Sequence, residues 1–190
     1  MARVRYGYMG KLLFVDLTNS TFHEEELSEE TARRFVGGYG VGARIIMERM
    51  KPGADPLGPD NIFGIGTGPL TLSGVYAACR FTTMGKSPLT GYWGDANCGG
   101  DFANAFKATG YDGVFFEGEA EHPVYLLIDE GKVQIKDARQ LWGQNTAVTE
   151  ELIRQENGNP RLKVACIGPA GERMAKIAAV INDRGRAAAR

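Results

Sequence analysis

The chain reads as an α+β protein with mixed, largely antiparallel sheets and flanking helices. Three observations carry that reading. Strand-length apolar runs come in pairs joined by turn residues, as at Asn19-Ser20 and Glu130-Gly131, which is the pattern of hairpins. Helix-period segments fall between the pairs, whereas a doubly wound parallel sheet needs strict strand–helix alternation. Glycine occupies 26 of 190 positions, roughly twice ordinary usage. It stands at strand-to-loop joints, where it marks left-handed backbone or close approach to something bulky.

The elements follow in order. Residues 12–17 form a strand, Asn19-Ser20 turns, and 21–27 returns beside it. Ser28 suits a helix N-cap, with Glu29 and Glu30 favourable in the first turn of a helix ending near residue 36. Gly37, Gly38 and Gly40 interrupt it. A second helix to residue 50 carries Ile45, Ile46 and Met50 at buried spacing. After a turn-rich connector over 52–59, strands over 62–66 and 77–84 flank the Gly68-Pro69 turn. A glycine loop over 85–100 leads to a short helix, 101–109, which Gly110 closes. A strand over 113–117 follows. Residues 124–129 and 132–136 make a hairpin turning at Glu130-Gly131. Asn145 or Thr146 caps a helix to 156, and Gly158 and Pro160 stop it. Strands over 163–167 and 176–181 flank a Gly168-Pro169 turn, and a second glycine loop covers 182–190.

Written this way, the order repeats. Hairpin, helix, strand, Gly-Pro turn, strand and glycine loop occur over 10–118 and recur over 122–190. Ile65-Gly66-Thr67-Gly68-Pro69 is echoed by Cys166-Ile167-Gly168-Pro169. This is the mark of an internal duplication. The expectation is one binding domain, 1–190, in which a pseudo-twofold axis presents both glycine loops to a single, roughly twofold ligand. The stop inside a loop suggests a piece of a longer chain.

Composition excludes several classes. A net charge of −1 gives no bulk attraction to nucleic acid or an anionic membrane, so an anion site has to be local. Cys79, Cys98 and Cys166 lack CxxC spacing and make neither a disulfide framework nor a zinc site. The start has no signal core, and no apolar run approaches the roughly 18 residues of a membrane span, so a cytoplasmic setting is expected.

Candidate residues gather in and beside the two loops. Gly99-Gly100 lets backbone approach a ligand, and the helix opening at Asp101 offers free N–H groups to an anion; for a single loop a tight turn is the plainer reading, but two equivalent loops favour the anion site. Arg80 lies on an apolar strand. It clamps a phosphate or stacks on a heterocycle, or it is an outward arginine paired with a carboxylate. Arg184, Arg186 and Arg190 beside Gly185 suit backbone pressed against a polyanion, or form a solvated basic tail. Asp95 orients a ligand amide or caps its loop. Cys98 touches ligand or is a small buried thiol. Trp93 and Trp142 are expected to anchor packing, and His23 and His122 to lie on the surface. No nucleophile elbow, P-loop or HExxH motif occurs, and no catalytic residue is assigned.

Seven segments in order then resemble a known family: Gly10-Lys11-Leu12-Leu13-Phe14-Val15-Asp16-Leu17-Thr18, Phe35-Val36-Gly37-Gly38-Tyr39-Gly40, Gly68-Pro69-Leu70-Thr71, Lys86-Ser87-Pro88-Leu89-Thr90-Gly91, Ala108-Thr109-Gly110-Tyr111-Asp112, Ile167-Gly168-Pro169-Ala170-Gly171-Glu172 and Gly185-Arg186-Ala187-Ala188. Spread over almost the whole chain, they resemble the N-terminal domain of tungsten-containing aldehyde ferredoxin oxidoreductases. The resemblance implies a duplicated α+β base under a tungsten bis-molybdopterin (tungstopterin) whose phosphates are bridged by magnesium. It implies cofactor contacts at Arg80, Asn97, Cys98 and Gly99, and at Arg186, Ala187, Ala189 and Arg190. Magnesium would take the backbone carbonyls of Asn97 and Ala187, since oxygen ligands suit that ion. Ala189 stands where the family pattern leads one to expect glycine.

The family's 4Fe-4S cluster needs four cysteines, and this segment does not supply them. The whole protein so implied oxidises an aldehyde to a carboxylic acid and passes electrons through the cluster to ferredoxin. Its partners are its own C-terminal domains, ferredoxin and a small aldehyde, with a homodimer left open; the segment alone is expected to be inactive. Other readings are the same scaffold in another low-potential reaction, such as benzoyl-CoA-type aromatic ring reduction, and a non-catalytic binding or assembly module. A generic nucleotide-phosphate domain is disfavoured, because neither loop matches a dinucleotide or triphosphate fingerprint.

Overall fold

Alternation along the first strand sets the layers. The structure is a computed structural model that describes residues 7–188. Strand β1 (Lys11–Asp16) buries Leu12, Leu13, Phe14 and Val15. Successive side chains of a strand point to opposite faces, so Leu12 and Phe14 enter one core while Leu13 and Val15 enter another. Both faces of this strand are therefore covered, and burial of each such side chain is worth about 1.5–3 kcal/mol.

Around it lies a six-stranded sheet of order β2-β1-β6-β3-β4-β5. Its other members are β2 (Thr21–Glu26), β3 (Phe63–Thr67), β4 (Arg80–Lys86), β5 (Trp93–Gly99) and β6 (Gly113–Glu117). Every pair is antiparallel except β1 with β6, so the mixed, largely antiparallel expectation is met. Helices α1 (Glu29–Phe35) and α2 (Tyr39–Arg49) cover one face, where Ala32, Val41, Ile45 and Ile46 pack on Leu12, Phe14 and Phe115. Ser28 caps α1 by accepting the Thr31 N–H at 3.2 Å. The break between the helices is enforced by close approach. Gly37 has φ +153, and a Cβ there would lie 3.1 Å from the Thr67 carbonyl oxygen.

Helix α3 (Asp101–Ala108) covers the opposite face with Ala103 and Phe106. Two adjacent left-handed residues, Glu130 and Gly131, turn the hairpin β7 (Val124–Asp129) and β8 (Lys132–Asp137), which packs on that same core. Asn145 caps α4 (Thr146–Glu156) through the Val148 N–H at 3.0 Å. Beyond it come β9 (Ala165–Cys166), the single turn α5 (Pro169–Glu172), β10 (Ile181–Asn182) and β11 (Arg186–Ala187). The last three strands form an antiparallel sheet of order β11-β10-β9.

Lys107 is fully buried. Its Nζ donates to the Gly68 carbonyl at 2.6 Å and lies 3.3 Å from Asp112 Oδ1. The Asp112 carboxylate also accepts the backbone N–H groups of Met9 and Gly10, at 3.2 and 2.7 Å. Burial pushes the Lys107 amine down, and Asp112 opposes that.

Four expectations are corrected. The stretch expected as a glycine loop over 85–100 is strand at both ends, because Gly85 and Lys86 close β4 and Trp93–Gly99 forms β5, which pairs with β4 along its whole length. The strand expected over 77–84 starts only at Arg80, since Ala77 is left-handed at φ 60. The strands expected over 163–167 and 176–181 shrink to two residues each, where β9 and β10 meet, and Gly168-Pro169 opens α5. Trp93 and Trp142 are 38% and 52% exposed and anchor no core.

Candidate functional site

Register places the first group of residues. On β4 and β5, Arg80 faces Gly99, Phe81 faces Cys98 and Thr82 faces Asn97. Phe81 and Cys98 point into the core, at 1% and 3% exposure. By alternation, Arg80, Thr82, Asn97 and Gly99 belong to the other face. There Arg80 Nε donates to Asn97 Oδ1, and Asn97 Nδ2 donates to Thr82 Oγ1 at 3.1 Å. A Cβ at Gly99 would stand 3.6 Å from Arg80 Nη1, so the absent side chain leaves backbone open beside the guanidinium.

The second loop folds back onto the first, and β5 and β11 are in contact. The Cys98 thiol donates to Asn182 Oδ1 at 3.3 Å and lies 3.6 Å from the Arg186 carbonyl oxygen. Asn182 Nδ2 donates to the Gly99 carbonyl at 3.4 Å. The backbone of Arg186 thus lies beside Cys98, the neighbour of the residue that faces Arg80. Burial pushes the Cys98 thiol up, while the charges of Arg80 and Arg186 pull it back and Asp183 adds to the rise. Arginine ion pairs fall on Arg33, Arg34, Arg44, Arg49, Arg139 and Arg154. Among the described residues, Arg80 and Arg186 pair with no carboxylate.

Arg80, Asn97, Cys98, Gly99, Arg186 and Ala187 are therefore brought together. Ala187 is exposed on β11 opposite Ile181. Ala189 and Arg190 lie outside the described residues. Arg184 is anchored otherwise, its backbone N–H donating at 2.8 Å to Glu150, a fully buried carboxylate that also holds Arg154. His23 and His122 are exposed.

Two further expectations change. The helix opening at Asp101 is not free for an anion, because its N–H donates to Asp183 Oδ2 at 2.6 Å. The protein's own carboxylate occupies the positive helix end. Asp95 sits on β5 rather than in a loop and accepts the Trp93 indole N–H at 3.1 Å. Sequence reasoning gave Asn182 and Asp183 no role. Their only signal was turn composition ahead of Gly185, which does not show what the side chains reach.

Among the described residues no group of three or more His, Cys, Asp or Glu side chains is placed to hold a metal. No helix among the described residues is long and apolar enough to cross a membrane.

The chain is similar to known proteins along almost its whole length. Residues 12–190 match the family described as aldehyde ferredoxin oxidoreductase, N-terminal domain. Tungsten-containing aldehyde ferredoxin oxidoreductases of Pyrococcus abyssi and Thermococcus kodakarensis are each 42% identical over 185 residues, 97% of this chain. The aliphatic sulfonate oxidoreductase, WOR-like subunit, of Pyrococcus furiosus is 35% identical over 192 residues, 93% of this chain. The chain spans only 30–31% of the length of these relatives. The solved active site complex BamBC of benzoyl coenzyme A reductase, in complex with 1,5-dienoyl-CoA, superposes with a TM-score of 0.95 at 33% identity. The match covers 98% of this chain and 28% of that one. With the family match running from residue 12 to residue 190, the chain belongs to the aldehyde ferredoxin oxidoreductase N-terminal domain family.

Proposed function

We propose that this chain is the cofactor cradle of a tungsten-pterin oxidoreductase. In its full-length form the protein oxidises aldehydes to carboxylic acids and passes the electrons through an iron–sulfur cluster to ferredoxin. One observation carries the reading: the strand bearing Arg186 packs on β5, whose Gly99 faces Arg80, and neither arginine forms an ion pair with a carboxylate among the described residues. Exposed arginines outside any salt bridge, beside open backbone, suit a large anion with more than one phosphate.

The residues fit the group. Arg80 and Arg186 would balance its phosphates, and Asn97, Cys98 and Gly99 would approach it through their backbone. Ala187, with Ala189 and Arg190 beyond it, would do so from the second loop. Magnesium would rest on the carbonyls of Asn97 and Ala187, in keeping with its preference for oxygen and few protein ligands. Tungsten bis-molybdopterin, when bound, supplies the redox chemistry at the substrate carbon. The chain's own residues bind the group, orient it and balance its charge. Asn97 locks the Arg80 guanidinium and is itself locked by Thr82, so the cation is held in place before any ligand arrives.

The chain is read as a single domain, 1–190, containing repeats 10–118 and 122–190. In support, β3-β4-β5 and β9-β10-β11 are both antiparallel meanders that follow a hairpin and a helix. The iron–sulfur cluster, the ferredoxin contact and the aldehyde pocket belong to the rest of a cytoplasmic protein. Exposed Leu70, Val75 and Tyr76, in the loop leading to Arg80, suit cover by those further domains. Aromatic ring reduction is the second reading, favoured by the benzoyl coenzyme A reductase likeness. The 42% identity to aldehyde oxidoreductases, against 33%, places it second.

The test is metal analysis of the full-length protein. Arg80→Ala and Arg186→Ala should each lower tungsten and pterin per folded molecule about tenfold, the loss of one charge-assisted contact. Full tungsten content in both variants would remove the cradle assignment.

A further inference from the structure

We infer that Asn182 is the positioning residue that holds the two cradle strands at their working separation, acting through Cys98 and Gly99. The inference rests on the cradle reading above. Asn182 is fully buried on β10. Its backbone pairs with Ala165 on one side and Arg186 on the other, so its own strand already fixes the place of Arg186. Its side chain reaches out of that small sheet to the edge of the large one. Oδ1 accepts from the Cys98 thiol at 3.3 Å, and Nδ2 donates to the Gly99 carbonyl at 3.4 Å.

One amide thus reads a donor and an acceptor on consecutive residues. A one-residue slip of β5 against β10 would leave both ends unpaired in the core. A buried polar group without a partner costs about 1–3 kcal/mol, so the bridge specifies a register as well as a distance. Its neighbour extends the attachment, because Asp183 Oδ2 accepts the Asp101 N–H at 2.6 Å. What the bridge joins is functional. Asn97 and Gly99 adjoin Cys98 on β5, and Arg186 and Ala187 lie on the strand hydrogen-bonded to β10. A ligand bound at both strands needs their spacing to be set in advance.

The test uses the full-length protein and reads tungsten and magnesium per folded molecule beside the thermal midpoint. Asn182→Ala and Cys98→Ala cut the bridge from opposite sides. Each should lose about tenfold in tungsten. The double variant should lose no more than Asn182→Ala alone, which already removes both bonds of the bridge, because partners in one interaction are not additive. Ile46→Val, a mild core change in the other layer, controls for lost stability and should keep its tungsten. If Asn182→Ala fails to accumulate, Cys98→Ala and Cys98→Ser carry the comparison. Serine keeps a donor at the site and should restore most of the metal that alanine loses. The inference is overturned if Asn182→Ala, or Cys98→Ala in its place, keeps full tungsten while Arg186→Ala is depleted. Losses that add in the double variant overturn it too. Full tungsten in both Arg80→Ala and Arg186→Ala instead removes the cradle reading itself.

Discussion

At the scale of single residues, the site depends on one position where a side chain is forbidden. Gly100 joins β5 to α3 at φ +122, and a Cβ there would lie 2.1 Å from Asp183 Oδ2 and 3.1 Å from Arg186 Cδ. Gly53 is also left-handed, at φ +79, yet nothing stands within 4 Å of its missing Cβ. The pair separates backbone strain from contact. Gly53→Ala should cost about 1 kcal/mol. Gly100→Ala should cost about 3 kcal/mol or more, because it also displaces the carboxylate that caps α3. Denaturant midpoints of the two full-length variants give the comparison, and equal costs would mean that the Asp183 contact exerts no constraint. Much of this site was legible residue by residue. An arginine on an apolar strand and paired glycines before a helix are conspicuous in sequence, and the structure joins them. Asp183 was not legible, since its meaning comes from the N-terminus of a helix 82 positions away.

At the scale of elements, local signals were sound where the chain satisfies itself and failed where a distant partner decides. Ser28, Asn145 and the Glu130-Gly131 turn act within a few residues, and each appears where its chemistry calls for it. Strand β5 reads Trp-Gly-Asp-Ala-Asn-Cys-Gly and has no β-branched residue. It is a strand because β4 offers an unpaired edge, and propensity says nothing of that. The converse holds near 176–181, where strand-like residues find a partner only at Ile181 and Asn182. Tyr111 shows how such ties can be measured. It lies between α3 and β6, is 5% exposed, and its phenol donates to Glu24 of β2 at 2.5 Å. Burial first, and then the hydrogen bond to Glu24 and its charge, push that phenol from 10.0 up to about 12. Below pH 10 the phenol is neutral in both folded and unfolded chains. Between 10 and 12 the unfolded chain ionises first, so stability present at neutral pH is lost as the pH rises. Wild type should lose about 1–2 kcal/mol more than Tyr111→Phe between pH 8 and about pH 11. Unfolding curves at the two pH values check this, and parallel losses in both proteins would show that the phenol carries no linkage.

At the scale of the whole molecule, an order of elements that repeats does not give two equal halves. Residues 10–118 supply all six strands of the larger sheet, and residues 122–190 supply a separate hairpin and a three-stranded sheet. The order of elements in the sequence could not announce that both stretches drain into one core. Phe81, Cys98, Ala103 and Phe106 from the first half meet Leu126, Ile128, Val133, Ile135, Val180 and Ala188 from the second. This shared layer lies directly behind the strands that carry Arg80 and Arg186, so the site's geometry and the union of the halves have one physical basis. Phe106 is the natural probe, being 6% exposed on α3 within that layer. Phe106→Ala should cost about 3–5 kcal/mol, the loss of a buried aromatic plus the cavity it leaves. If the halves form one cooperative unit, amide exchange should quicken together in β1 and in the β7–β8 hairpin, although neither contains the substituted residue. In Ile46→Val, which touches only the helical layer across the sheet, the hairpin should keep its protection. Exchange that quickens in β1 alone would mean that the second half folds by itself, and the fixed spacing of the two arginines would then rest on the Asn182 bridge without help from the core.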